Sequence, residues 1–300
     1  MVCWQFFYCF MIDTHYDKIY HNGGDSCMKI GDIIRVSSYD EIIKIVEEVN
    51  NKYHNENYKC FFRGQADESW KLIPGMLRKK CNEKTEIDDY NLTDITVRMA
   101  AAQHYGKTTR CLDFSRDYNV ALYFATHDDI YNDKDGALYI FYYYSHKPSW
   151  FTNYLMYYVA TMNKDEITNW ELTKYLLDKK NIIDEFKRTK RKTELFEATT
   201  EVEHYIANGF LVDFENADYD VDRLMKQKGA LYFFGSQFYH DSIKIIDNDI
   251  RYSNGITYNI NLHELVDHKL DERTIKIIIP KEIKEEIYNK INITSKDLGF

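Results

Sequence analysis

The sequence predicts an α+β fold: a mixed central sheet, or sheets, with flanking helices and an inserted helical segment. Two observations predict it. Apolar runs of strand length recur at 28–36, 59–64, 136–144, 229–235, 256–262 and 274–280. The stretches of helical spacing do not alternate regularly with them, as a doubly wound parallel sheet would require.

Taken in order, "MKIGDIIRV" at 28–36 reads as the first strand. Ser38-Tyr39-Asp40-Glu41 has the pattern of a capping box, in which Ser38 and Glu41 satisfy each other's backbone donors. Ile42, Ile45, Val46 and Val49 follow at helical spacing. "KCFFRG" is a short apolar strand with a glycine exit. Residues 91–103 read as a helix ending near Gly106, and 117–127 as another that turns Val120, Ala121, Phe124 and Ala125 inward. "GALYIFYYY" at 136–144 is a strong strand. From about 146 to 200 the chain is helical and charged, which reads as an inserted layer covering a cleft. Strands at 229–235, 256–262 and 274–280 and a helix at 281–290 complete the pattern.

Composition narrows the function classes. The apolar fraction of 44% supplies a substantial core, and residues 28–300 read as one domain. A net charge of −9 argues against a broad electrostatic nucleic-acid footprint. The one dense basic run, "KRTKRK" at 187–192, reads as a solvated helix end. Six cysteines contain no CxxC pair, so they fit neither a disulfide framework nor a zinc signature; reduced thiols in a cytoplasmic protein are the economical reading. No apolar run reaches the ~18 residues of a membrane span, so no membrane partner is expected. The opening "MVCWQFFYCFMI" is a poor signal peptide because it lacks a basic first region. Gly23-Gly24-Asp25 can be encoded by a strong ribosome-binding site placed two codons before Met28. Residues 1–27 are therefore expected to be a translated, non-native leader.

Three clusters place polar groups at the ends of apolar elements, where a rigid scaffold presents side chains to a cleft. The first is Arg63-Gly64-Gln65. Arg63 offers a planar fork of donors to a phosphate or carboxylate, or else pairs with a carboxylate at the core edge. Gly64 admits the close approach of a ligand or a second backbone. The second cluster, "QHYGKTTRCLDFSRDYNVALYFA" at 103–125, crowds Gln103, His104, Arg110, Asp113 and Ser115 into the link between two helices. There Arg110 and Asp113 can pair, and Asp113 or Ser115 can cap the following helix. The third, "DRLMKQKGALYFF" at 222–234, puts Arg223 and Gln227 on one helix face before Gly229 breaks into a strand. His104 and Asp113 do not make a metal-ligand set, so no metal is expected. Ser115 carries no nucleophile-elbow motif.

In order and spacing, "FFRGQ", "QHYGxxTRxLDxSxxxxxALYFA" and "RLxxQxGALYFF" resemble the FRG-domain family over roughly residues 36–300. Thr108 departs from the family's usual proline. A looser similarity runs to ADP-ribosyltransferases of the arginine-serine-glutamate type, through Arg63, then "LDFSRDYNVALYFA", then "DGALYIF". That similarity implies an ADP-ribosyltransferase-like fold with NAD as substrate, in a transferase or an NAD glycohydrolase. It makes Arg63 the phosphate grip, residues 112–115 the support of the nicotinamide ribose, and Gln65 or His104 part of the lining. The late catalytic glutamate is replaced by Gln227, so Asp113, Glu201 or Glu203 would have to supply the negative charge. The two resemblances together give Arg63, Asp113 and Gln227 as candidate catalytic residues. They give Gly64, Gln65, Gln103, His104, Arg110 and Ser115 as candidate cofactor-binding residues. The implied partners are a small nucleotide ligand and a protein or nucleic-acid target, in a bacterial toxin or phage-defence effector. The competing class is a non-catalytic sensor built on the same cleft.

Overall fold

The computed structural model describes residues 28–53, 58–79, 81, 83–87, 95–128, 130–146, 150–162, 164–179, 192–215, 222–241, 243–245 and 256–300. The leader expected at 1–27 and residues 187–191 of the basic run lie outside these.

The elements begin with β1 (Ile33–Arg35), α1 (Tyr39–Tyr53), β2 (Tyr58–Gln65), α2 (Gly75–Arg78), α3 (Glu83–Ile87) and α4 (Ile95–His104). There follow β3 (Cys111–Ser115), α5 (Tyr118–Thr126), β4 (Gly136–His146), α6 (Trp150–Thr161), β5 (Glu166–Thr168), α7 (Asn169–Lys179) and α8 (Lys192–Asn208). The last are β6 (Phe210–Asp213), α9 (Asp222–Lys226), β7 (Gly229–Phe233), β8 (Ser236–His240), β9 (Ile243–Lys244), β10 (Asn259–Leu265), β11 (Ile275–Ile279) and α10 (Lys281–Ile291). The fold is α+β, with mixed strand directions. No helix of the described residues is long and apolar enough to cross a membrane.

Seven strands form one sheet in the order β1-β11-β4-β2-β3-β7-β6. At its far end β4 also pairs in parallel with β6, through Ser145↔Leu211 and His146↔Val212. Strands β4, β2, β3, β7 and β6 thereby close a ring. Phe61, Leu112, Phe114, Tyr139, Phe141 and Tyr232 take alternate positions on these strands and form one aromatic-rich cluster. The opposite faces pack on helices: α1, α5 and α10 cover one flank, and α4 with α6–α8 covers the other. A second, antiparallel sheet runs β5-β10-β8-β9.

Several local expectations change in detail. The Glu41 N–H donates to Ser38 Oγ at 3.3 Å, as in a capping box, but the Glu41 carboxylate accepts from the backbone N–H of Ser37, at 2.8 Å, instead of that of Ser38. The cap of α5 is neither Asp113 nor Ser115 but Asp117, whose carboxylate accepts from the Asn119 N–H at 2.9 Å. Residues 111–115, expected as a link between helices, are a strand held by five registered pairs with β7. Among the described residues, the inserted segment contributes nothing to the lining of the cleft described below. Leu155, Val159, Leu172, Leu176, Val202 and Ile206 turn their apolar faces to the second sheet and share a core with Phe238 and Ile260. The insertion also contributes β5, which pairs with β10.

Candidate functional site

A cleft of about 740 Å³ opens where β2, β3 and the α9–β7 junction meet. Antiparallel pairing aligns Phe62 with Ser115 and Ser115 with Gly229, which brings three sequence-distant segments to one place. Arg63, Asp113 and Gln227 all line the cleft, as do Gly64, Gln65, Gln103 and Ser115. Arg110 does not, and the His104 side chain lies outside the described residues.

Arg63 follows Phe61 by two positions, so it projects on the same face, at the end of the aromatic cluster. Its Nη1 donates to the Asp113 main-chain carbonyl at 2.7 Å, and its Nε is buried with no hydrogen-bond partner. Burial pulls the guanidinium below its ordinary value; the Asp113 carboxylate opposes that shift and the Arg78 guanidinium adds to it. Arg223 is lowered in the same way by burial and again raised by Asp113. Asp113 therefore acts electrostatically on two arginines of the cleft. One Asp113 oxygen, Oδ2, accepts from Gln103 Nε2 at 3.4 Å, while Oδ1 is buried without a partner. Gln103 is held in turn by the Thr109 hydroxyl, which donates to its Oε1.

Sequence reasoning missed part of the lining. Trp70, Lys71, Arg78 and Tyr131 reach the cleft from loops and the end of α2. Trp70 and Tyr131 meet edge to face, with ring centroids 4.8 Å apart. The lining carries Arg63, Lys71, Arg78 and Arg223 against Asp113 and Asp128, an excess of positive charge within a chain of net charge −9. The signal for this was weak, because none of the added residues shares a motif with Arg63.

Three of the expected site residues also have partners within the protein. The Ser115 hydroxyl donates to the Gln227 carbonyl at 2.7 Å and accepts from the Asp117 N–H at 3.0 Å, tying β3 to the end of α9. Gln227 Nε2 donates to the Leu298 carbonyl at 3.1 Å. The expected Arg110–Asp113 pairing is not made. Arg110 is fully buried just ahead of β3, at the end away from Ser115, and its Nε meets Glu83 Oε2 at 2.5 Å.

Gly64 is set by packing. A Cβ at this position would lie 1.7 Å from the Ala121 carbonyl oxygen, because α5 crosses β2 backbone to backbone. The obstacle is main chain, so no rotamer relieves it. Gly64→Ala is expected to cost at least ~3 kcal/mol, at the upper end of overpacking effects. Urea unfolding measures it, and a loss below about 1 kcal/mol would contradict the close approach.

The FRG-domain family model matches residues 58–134. The match takes in Arg63-Gly64-Gln65 and the whole 103–125 block but stops short of 222–234. No curated protein and no solved structure matches the chain.

Proposed function

We propose that this chain, with its FRG-domain match over residues 58–134, uses the cleft to bind a nucleotide-like ligand bearing phosphate. One observation carries the reading: a part-buried arginine with an unpartnered Nε opens into a concavity where cationic side chains outnumber carboxylates. Withdrawing a guanidinium from water costs several kcal/mol unless charge and hydrogen bonds compensate it. Asp113 compensates part of that cost, and an anionic ligand supplies the rest. Arg78 and Lys71, both exposed at the mouth, add charge where phosphates enter.

NAD is the ligand to test first, because the resemblance to ADP-ribosyltransferases names it. In that reaction the bond between C1′ and the nicotinamide nitrogen breaks, and its electron pair leaves with neutral nicotinamide. Water or a target nucleophile then bonds to C1′ and sheds a proton. Positive charge develops on the ribose, so a carboxylate close by lowers the barrier. Asp113 is the carboxylate that lines the cleft beside Arg63. Glu203 is buried in α8 against the Asn169 amide, away from the cleft lining, and the Glu201 side chain lies outside the described residues. In this reading the protein is an NAD-dependent transferase or glycohydrolase, acting as a bacterial toxin or phage-defence effector. A sensor module is the same cleft without turnover.

Calorimetry with NAD, ADP-ribose and pyrophosphate tests binding, and incubation of labelled NAD with cell lysate tests turnover. Wild type is expected to bind, and Arg63→Ala to weaken NAD and ADP-ribose at least tenfold, the ~1.5–3 kcal/mol of a charge-assisted hydrogen bond. Absence of binding by all three ligands would sink the proposal. Binding without nicotinamide release or label transfer would select the sensor.

A further inference from the structure

The floor of the cleft has a more specific demand than positive charge. Three buried polar atoms there have no hydrogen-bond partner: Arg63 Nε, Gln65 Oε1 and Asp113 Oδ1. The other ends of the same groups are engaged. Arg63 Nη1 donates to the Asp113 carbonyl, Gln65 Nε2 reaches the Lys71 carbonyl at 3.5 Å, and Asp113 Oδ2 accepts from Gln103. The unmet set is therefore one donor and two acceptors. A buried polar group left unpaired is costly, so a ligand that completes the set gains from each contact.

A phosphate cannot complete it. As an acceptor it suits Arg63 Nε, but it has no proton for Gln65 Oε1 and is repelled by the Asp113 carboxylate. A hydroxyl both donates and accepts. Two neighbouring hydroxyls supply two donors and at least one acceptor, which matches the three orphaned atoms.

Resting on the nucleotide-like reading above, we infer that the cleft floor takes the vicinal hydroxyls of a sugar ring, with the phosphates directed outward to Arg78 and Lys71. One hydroxyl oxygen accepts from Arg63 Nε while its proton goes to Asp113 Oδ1. The second hydroxyl donates to Gln65 Oε1. The cleft thus selects a ribose-bearing phosphate over a bare polyphosphate.

The test compares ADP, 2′,3′-dideoxy-ADP and pyrophosphate, by calorimetry, on wild type and Asp113→Asn. In wild type, removing both hydroxyls is expected to weaken binding about tenfold to a hundredfold. In Asp113→Asn the amide oxygen keeps the bond from Gln103, so the amide nitrogen faces the ligand where an acceptor is needed. ADP should then bind no more than about twofold better than its dideoxy form, and pyrophosphate should bind at least as well as to wild type. An unchanged melting temperature for the variant certifies that it is folded. Equal affinity of wild type for ADP and dideoxy-ADP overturns the inference while leaving the anion site standing. Failure of all three probes to bind removes the anion site and the inference together.

Discussion

Arg110→Ala is expected to destabilise the fold by about 3–5 kcal/mol, the cost of stranding one partner of a buried ion pair. The arginine is fully buried and donates five hydrogen bonds. Its backbone N–H and Nε bind the two oxygens of Glu83 at 2.8 and 2.5 Å. Nη1 donates to Ser236 Oγ at 3.1 Å, and Nη2 to the carbonyls of Val159 and Leu262 at 3.3 and 2.8 Å. One side chain thus joins α3, β3, α6 and the second sheet. Removing it leaves Glu83, itself completely buried, with an uncompensated charge. Urea unfolding of Arg110→Ala, Glu83→Gln and the double variant forms a cycle. The double variant should be less destabilised than the two single losses added together. Simple additivity, or a single loss under about 1 kcal/mol, would show that the pair is not coupled. Arg110 is outside the cleft lining, so affinity measured per folded molecule should not change.

Acid should unfold this protein partly through His268. The imidazole is 1% exposed, and its Nε2 accepts from the Gly235 N–H at 3.0 Å, so the neutral ring carries its proton on Nδ1. Burial, aided by the Arg273 charge, pushes its pKa from 6.5 down to about 3. The unfolded chain therefore binds a proton near pH 6.5 that the folded chain refuses until about pH 3. Stability from this group is complete above pH 6.5 and declines as pH falls through that window, by roughly 1.4 kcal/mol per pH unit. His268→Gln keeps an acceptor for Gly235 and does not titrate. Its stability at neutral pH can fall, but its stability–pH slope between about pH 4 and 6 should be shallower than wild type by up to that amount. Identical slopes would show that the ring is protonated while folded.

Elements were legible where local and tertiary signals agree. Strand β4 has an uninterrupted apolar run, α5 carries its apolar residues at helical spacing, and β11 with α10 meets at a proline. Strand β3 was not legible as one. Its five residues include Asp113 and Ser115, and pairing with β7 outweighs their weak strand preference. The site was half legible for a related reason. Arg63 and Arg110 both adjoin short apolar runs, and nothing local says which one enters a cleft. Glu83 decides it from a five-residue helix without a motif. The close approach expected at Gly64 is real, but its source is α5, which no pattern around "FFRGQ" could reveal. Trp70, Arg78 and Tyr131 join the cleft only because the loops return to it.

The closed ring of strands also sets when this chain can fold during synthesis. All eight residues of β2 are in register with β4, which follows the segment matched by the family model. The ring then waits for β6 and β7, and among the described strands β1 pairs only with β11, which ends at Ile279. A nascent chain that ends at residue 134 therefore holds β2 and β3 without their long pairings to β4 and β7, with apolar faces exposed. The pairings of the sheet join residues distant in sequence, a topology that folds slowly. Folding is thus largely deferred until most of the chain has left the ribosome, and the cleft, whose walls come from residues 62 to 230, cannot form before the α9–β7 junction has emerged.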